Sequence, residues 1–202
     1  MGSTQYRNHP PQAGFDLQQI ENKVFSTNPK KWGNYMKAEN INPFIESVAE
    51  TFENMLETTI ETGAPVLNDD TKGTPDIIGV IGLSGTAQGI VALKLPVKTA
   101  LNVVGKMVGM EFRGVDSSII DGVGELVNII AGNAKAKFEG HAISLSLPTV
   151  VRGSIYRLNN LGDTVWLTIP FKSELGEFAL SVSFRPAVVP EKEVAHAGAH
   201  SR

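Results

Sequence analysis

Apolar residues form two kinds of pattern along this chain of 202 residues, and the first has the spacing of a helix. Asn42 is a favourable N-cap and Pro43 suits the first helical position, so together they predict a helix start. Gly63 and Pro65 predict its end. Between these limits the apolar positions repeat every three or four residues, as the buried face of a helix requires: Phe44, Val48, Phe52, Met55, Leu56 and Ile60.

The second group of apolar residues lies in short runs rich in β-branched residues, which predict strands. The runs are Ile77–Leu83, Ile90–Leu95, Ala142–Val151, Val165–Phe171 and Phe178–Phe184. The first two are joined by Ser84–Gly89 and the last two by Ser173–Gly176, so each pair predicts a hairpin. We interpret Gly82, Gly85 and Gly89 as turn glycines.

Two further helices complete the pattern, a short one at Val97–Val108 and a longer one at Ser118–Phe138. The predicted order αββααβββ is typical of an α+β domain with helices packed on a mostly antiparallel sheet. We assign residues 41–186 to this domain. Residues 1–40 are predicted to be a flexible N-terminal leader or an added segment, and residues 187–202 a disordered tail, because neither has enough periodic apolar surface to fold alone.

Composition and charge exclude several classes of protein. Hydrophobic residues make up 42% of the chain, which is enough for a core. Lys and Arg number 18 against 21 Asp and Glu, so no basic field attracts nucleic acid or an anionic membrane. The absence of Cys excludes disulfides and thiolate metal sites. No apolar run reaches the roughly 20 residues of a membrane span, and no signal peptide is present, so we expect a cytoplasmic protein.

Histidine is too scarce in the predicted domain for the common hydrolytic or metal chemistries. His141 is the one histidine between residues 41 and 186. A Ser-His-Asp triad would have to use it, yet Gly82-Leu83-Ser84-Gly85-Thr86 lacks the final glycine of a nucleophile elbow. His196 and His200 have metal-ligand spacing but lie in the predicted tail. We therefore predict no metal site.

The helix predicted at Ser118–Phe138 separates its polar residues from its apolar ones. Asp121, Glu125, Asn128 and Gly132, which we call the polar stripe, fall within roughly 60° of one another on a helical projection. The opposite side carries the apolar residues: Ile119, Ile120, Val123, Leu126, Val127, Ile130, Ala134 and Phe138. A solvated helix surface also carries polar residues, so the stripe alone does not establish a site.

Glycines are unusually frequent in this helix, at Gly122, Gly124 and Gly132. Each costs about 1 kcal/mol relative to alanine, which a helix built only for stability would avoid. We interpret these glycines and Asp121 as a face where a partner approaches the helix backbone. Asp121 also has a structural interpretation, because Ser118-x-x-Asp121 has the spacing of a capping box.

Glu125 and Asn128 are suited to positioning other groups rather than to proton transfer. The amide of Asn128 does not titrate, but it offers both a donor and an acceptor and can orient a water for attack on a phosphoryl group. The neighbouring carboxylate of Glu125 can bind a lysine or arginine of a partner. The pair therefore predicts a site for phosphoryl transfer to water that is completed by two proteins.

Two segments carry a resemblance to a known family. Asp121-x-x-x-Glu125-x-x-Asn128 lies on a helix that follows a hairpin and a short helix, and Ile41-Asn42-Pro43-Phe44-Ile45-Glu46 opens the first helix. Both features resemble the CheC/CheX/FliY chemotaxis phosphatases, most closely the CheX type, over about residues 36–186. The resemblance implies a CheC-like fold and hydrolysis of the aspartyl phosphate of a CheY-like response regulator.

The resemblance also implies roles for the two stripe residues. In that family the glutamate pairs with the active-site lysine of the regulator and the asparagine orients the attacking water, roles that fall here on Glu125 and Asn128. The Mg²⁺ belongs to the regulator, so no cofactor is expected on this chain. Two alternatives stay open: a non-catalytic CheX-like module that binds a receiver or a flagellar-switch or signalling partner, and a structural interaction domain.

Other expectations follow from the same resemblance. The first helix has Thr51, not glutamate, three residues before Asn54, which implies one site per chain and, as in the CheX type, a homodimer. Pro148 is similar to a proline that members carry in the strand after the helix, and we treat it as structural. Because the resemblance begins near Met36, we hypothesise that residues 1–35 are an added leader.

Overall fold

The computed structural model describes residues 38–67, 77–138, 142–153, 164 and 166–186. The predictions for residues 1–37, His141 and residues 187–202 lie outside these ranges. We predicted that the domain starts at residue 41. Residues 38–40 already belong to the first helix, so the folded part starts earlier.

Three helices and eight strands make up the described part of the chain. The helices are α1 (Ala38–Leu56), α2 (Val97–Val108) and α3 (Ser117–Ala136). The strands are β1 (Ile60–Thr62), β2 (Val66–Leu67), β3 (Ile77–Gly85), β4 (Ala87–Leu95), β5 (Ile143–Leu145), β6 (Thr149–Arg152), β7 (Leu167–Ser173) and β8 (Gly176–Pro186).

All eight strands form one antiparallel sheet in the order β1-β7-β8-β4-β3-β5, with β2 also paired to β7 and β6 also paired to β3. The predicted α+β class, with helices on an antiparallel sheet, is confirmed. The predicted order αββααβββ is incomplete, because it lacks β1 and β2 and counts β5 and β6 as one strand.

Helix α1 has different ends from those predicted. Pro43 lies inside it, so Asn42 is not its N-cap. The extra residues at its start bring Ile41 into the core with 2% exposure, and this packing outweighs the backbone hydrogen bond that a proline cannot donate. The helix ends at Leu56 because Glu57 adopts a left-handed φ of 46°.

The β3–β4 hairpin is longer than predicted, since one residue, Thr86, separates the two strands. Gly85 has φ 109° and fits its predicted place in the turn. The turn prediction is wrong for Gly82 and Gly89, which pair with Ile90 and Leu83 inside the strands. At Gly89 a Cβ would lie 2.5 Å from a backbone oxygen of β8, so glycine is needed for strand contact.

A bulge divides the strand that we predicted at Ala142–Val151. Leu145 is opposite Leu83 and Thr149 is opposite Val80, so four steps on one side match three on the other. The bulge, Ser146–Pro148, holds the extra residue. Pro148 therefore lies between two strands, where its missing N–H costs no ladder hydrogen bond.

Two groups of phenylalanine rings join the helices to one face of the sheet. Phe44 of α1 lies 5.5 Å from Phe138 and 6.1 Å from Phe184, measured between ring centroids. Phe52 of α1 stacks on Phe178 at 4.6 Å. Aromatic contacts of this kind add to the stabilisation from apolar burial, so α1 is firmly fixed on β8.

Helix α3 packs closely on the same face, over β3 and beside the edge formed by β5 and β6. A Cβ added to Gly79 of β3 would lie 2.9 Å from Cγ1 of Val127, so the small residue lets the helix approach the strand. This contact fixes the rotation of α3 and with it the direction in which its polar stripe faces.

The opposite face of the sheet holds a smaller buried cluster of Ile78, Ala92 and Trp166. Lys94 lies on this face with 6% exposure, and burial lowers the pKa of its amine below the ordinary value. The Nε1 atom of Trp166 is buried and has no hydrogen-bond partner in the described part of the chain.

Candidate functional site

Helix α3 is capped by a residue that we did not identify from the sequence. Asp116 has an extended backbone (φ −117°), and its Oδ1 accepts a hydrogen bond of 3.1 Å from the N–H of Ile119. The helix therefore begins at Ser117, and the capping-box interpretation of Asp121 is wrong. Asp121 is exposed one turn further along, which leaves its carboxylate open to solvent.

The stripe residues lie together on the outward side of α3. Asp121 and Glu125 are exposed, and Asn128 and Gly132 are half-buried. The side of the helix opposite the stripe is covered by its neighbours, with these residues buried: Ile119, Gly122, Val123, Gly124, Leu126, Val127, Ile130, Ala131 and Ala134. The carboxylate and the amide thus project from a helix that is held on its other sides.

Two of the three helical glycines do not face a partner, which corrects our prediction. Gly122 is buried, and a Cβ there would lie 2.5 Å from Cγ1 of Val104 on α2. Gly124 is buried against Val150, with a Cβ-to-Cγ2 distance of 3.4 Å. The backbone of α3 is indeed approached closely at both points, but by the same chain.

Gly132 differs from the other two glycines. A Cβ added there would find no atom within 4 Å. The absence of a side chain at Gly132 is therefore not needed for packing among the described residues, and its contact with a partner stays a prediction.

The side chains of Glu125 and Asn128 are available to bind a second molecule. In the described part of the chain, no hydrogen bond or ion pair involves either side chain. Because Asn128 is half-buried, its amide cannot sample as many directions as a fully exposed one. A carboxylate and an amide one turn apart, both with free hydrogen-bonding capacity, can bind polar groups of a second molecule.

A groove of about 410 Å³ between α1 and α3 borders the stripe on one side. Its polar contacts join the helices: Asn133 Nδ2 donates to Thr51 Oγ1 at 3.4 Å, and Lys137 Nζ lies 2.7 Å from Glu50 and 3.4 Å from Glu46. The hydrogen bond with Glu50 is the main reason that the pKa of Lys137 is raised above the ordinary value. These bonds hold α3 against α1.

Thr51 occupies the glutamate position of a motif that would end at Asn54 of α1. Its side chain is 3% exposed, and its Oγ1 donates to the carbonyl of Ser47 at 2.6 Å. The side chain three residues before Asn54 is thus turned into the helix packing and offers no carboxylate to a partner.

The bulge borders the stripe on the other side. Pro148 Cγ would lie 3.9 Å from a Cβ at Gly124, and Gly124 precedes Asn128 by one helical turn. We did not predict that this segment reaches the site, because the sequence pattern showed one uninterrupted strand there.

No metal site or membrane segment is found in the ranges that the structure describes. No three His, Asp or Glu side chains there come together as ligands. None of the described helices has the length and apolar character needed to cross a membrane.

Comparison with known proteins shows the family. A family model described as chemotaxis phosphatase CheX matches residues 77–172. The CheY-P phosphatase CheX of Thermotoga maritima is 32% identical over 153 residues, covering 74% of this chain and 98% of that protein. The chain belongs to the CheX family. The resemblance stated from the sequence is confirmed, and the stripe lies on α3 inside the matched range.

Solved structures extend this result to the fold. A CheC-like superfamily protein from Shewanella sp. PV-4 is similar with a TM-score of 0.69 and 27% identity, covering 74% of this chain and 99% of that one. A chain of the CheX–CheY–BeF3–Mg²⁺ complex from Borrelia burgdorferi is similar with a TM-score of 0.64 and 25% identity, covering 74% and 99%. The CheC-like fold of this CheX-family chain is therefore confirmed.

Proposed function

We propose that this CheX-family chain hydrolyses the aspartyl phosphate of a CheY-like response regulator. The observation that carries the proposal is the pair Glu125 and Asn128, which project with free hydrogen-bonding groups from the outward side of a firmly packed helix. The Thermotoga maritima relative is named a CheY-P phosphatase, and the Borrelia burgdorferi relative is bound to CheY, which supports the same reaction and partner.

In this proposal Asn128 positions the attacking water. Its amide oxygen accepts a hydrogen bond from the water, and its NH2 group donates to an acceptor beside the phosphoryl group. The water oxygen bonds to phosphorus while the bond from phosphorus to the aspartyl oxygen breaks, which releases inorganic phosphate and restores the carboxylate. The half-buried setting of Asn128 favours this role, because a restricted amide loses less freedom when the water is bound.

Glu125 fixes the partner relative to Asn128. Its exposed carboxylate forms an ion pair with the active-site lysine of the receiver. Asp121 and Gly132, at the two ends of the stripe, are proposed to contact the surrounding receiver surface. The Mg²⁺ is supplied by the receiver, so this chain contributes only protein groups. We further propose a homodimer with one site on each subunit.

The test is phosphate release from a phosphorylated CheY-like receiver with Mg²⁺, measured above the rate of unaided dephosphorylation. We expect Asn128→Ala to lower kcat by about a hundredfold because the water is no longer oriented. Its affinity for a beryllofluoride-activated receiver should stay within about twofold of wild type. Asn54→Ala is the matched control, since Asn54 is exposed on α1 and lies outside the stripe.

Glu125→Ala is expected to differ from Asn128→Ala. Loss of the ion pair should lower the affinity for the activated receiver by about tenfold or more, together with the rate. If Asn128→Ala dephosphorylates the receiver as fast as wild type, the assigned role of Asn128 is wrong. If wild type binds the activated receiver without accelerating phosphate release, the chain is instead a binding module.

A further inference from the structure

Leu147 is the most exposed large apolar side chain in the described part of the chain. Its exposure is 88%, against 63% for Met110 and 55% for Val66. Single exposed apolar residues are common on protein surfaces and need no explanation by themselves. Leu147 differs in two respects, the way its backbone is held and its position relative to the polar stripe.

Hydrogen bonds between Ser146 and Gly82 of β3 hold the bulge that carries Leu147. Ser146 N–H donates to the carbonyl of Gly82 at 2.9 Å, and the N–H of Gly82 donates to Ser146 Oγ at 2.9 Å. Ser146 Oγ also donates to the carbonyl of Leu147 at 2.9 Å. Glycine suits position 82, because the Cβ of any other residue would lie only 3.4 Å from Ser146 Oγ. Leu147 is therefore presented from an ordered backbone.

The position of the bulge places Leu147 at the rim of the stripe. The next residue, Pro148, packs on Gly124 of α3. Gly124 is three residues after Asp121 and four residues before Asn128, so it is a surface neighbour of both on the helix. The bulge therefore lies next to the part of the α3 surface that carries Asp121 and Asn128.

We propose that Leu147 is an apolar anchor for the receiver, covered by the receiver surface that docks on the polar stripe. This inference rests on the proposed function and adds a residue that determines affinity for the partner. Polar groups of the stripe must remain available to the water and the lysine, so apolar burial at the rim is a separate source of binding free energy. Burial that is the same in the bound ground state and the transition state lowers KM without changing kcat.

The experiment compares Leu147→Ala with wild type in the phosphate-release assay over a range of receiver concentrations. We expect KM to rise about tenfold, from the buried apolar area that is lost, with kcat unchanged. The dissociation constant for a receiver activated with beryllofluoride and Mg²⁺ should rise by the same factor. Leu147→Met, which keeps the apolar volume, should restore KM to within about twofold of wild type.

Val66→Ala is the matched control, because Val66 is also exposed but lies on β2 at the other edge of the sheet. It should leave KM unchanged. Leu147→Ala should melt at the wild-type temperature, since the side chain is almost fully exposed.

The outcomes separate this inference from the proposed function. If wild type accelerates phosphate release and Leu147→Ala has the wild-type KM, the anchor role is wrong and the proposed function stands. A fall in kcat at unchanged KM also overturns the anchor role. If wild type neither accelerates phosphate release nor binds the activated receiver, the proposed function is wrong and the anchor role falls with it.

Discussion

At the scale of single residues, the glycines of α3 have opposite surroundings and should respond oppositely to alanine. Gly132→Ala is expected to raise the free energy of unfolding by about 1 kcal/mol, because open space surrounds the new Cβ and alanine favours the helix. Gly122→Ala is expected to lower it by about 1–3 kcal/mol, because the new Cβ overlaps the stiff side chain of Val104. Urea denaturation of the two variants measures both changes.

Gly122 and Gly132 also show the limit of what a helical projection can predict. The projection placed Asp121, Glu125, Asn128 and Gly132 on one side, and the structure agrees. It gave no information about which neighbour fills the space around each residue, since this depends on where α2 and β6 pack. Gly122 was consequently interpreted as a docking position, although its neighbour is Val104.

Lys94 provides a second prediction at this scale. The residue as a whole is nearly buried, and burial lowers the pKa of its amine, so the charged form destabilises the folded state. Lys94→Met should therefore raise the free energy of unfolding by about 0.5–2 kcal/mol at about pH 7. The advantage should shrink with increasing pH, because wild-type Lys94 loses its proton in the folded state before it does so in the unfolded state, whose pKa is near 10.5.

Denaturation of both proteins at about pH 7 and about pH 10 tests the Lys94 prediction. Lys98→Met is the control, because Lys98 is exposed on α2 and its charge is already solvated. A Lys94→Met protein less stable than wild type at the lower pH would contradict a net cost of the buried amine.

At the scale of elements, the start of α3 depends on Asp116 rather than Asp121. Asp116→Ala should lower the free energy of unfolding by about 0.5–2 kcal/mol, because the N–H of Ile119 loses its acceptor. Asp121→Ala should change it by less than about 0.5 kcal/mol, since the carboxylate is exposed and caps nothing. Thermal unfolding of the two variants side by side distinguishes them, and equal losses would refute the assignment of the cap.

Element types were easier to predict than element ends. The periodicity in α2, α3 and the β7–β8 hairpin was long enough to identify each of them. Strands β1 and β2 have three and two residues, too few for a period to appear. The end of α1 depends on the left-handed backbone at Glu57, which the identity of that residue does not signal.

At the scale of the whole molecule, the class of fold and the site-bearing helix could be predicted, and the surroundings of the site could not. The stripe follows from local sequence, whereas the bulge beside it depends on the register of β5 and β6 against β3. A register offset is a property of two paired segments that are distant in sequence, as the Gly82–Ser146 hydrogen bond illustrates with a separation of 64 residues. A single segment of sequence does not contain it.

The divided strands have a consequence for the behaviour of the folded protein at high concentration. One edge of the sheet consists of β1 and β2, and the other of β5 and β6, and the longest of these strands has four residues. A strand from another molecule that adds to either edge finds only a short run of free backbone groups before the direction or register changes. Within the described sheet, both edges thus disfavour open-ended strand addition between folded molecules.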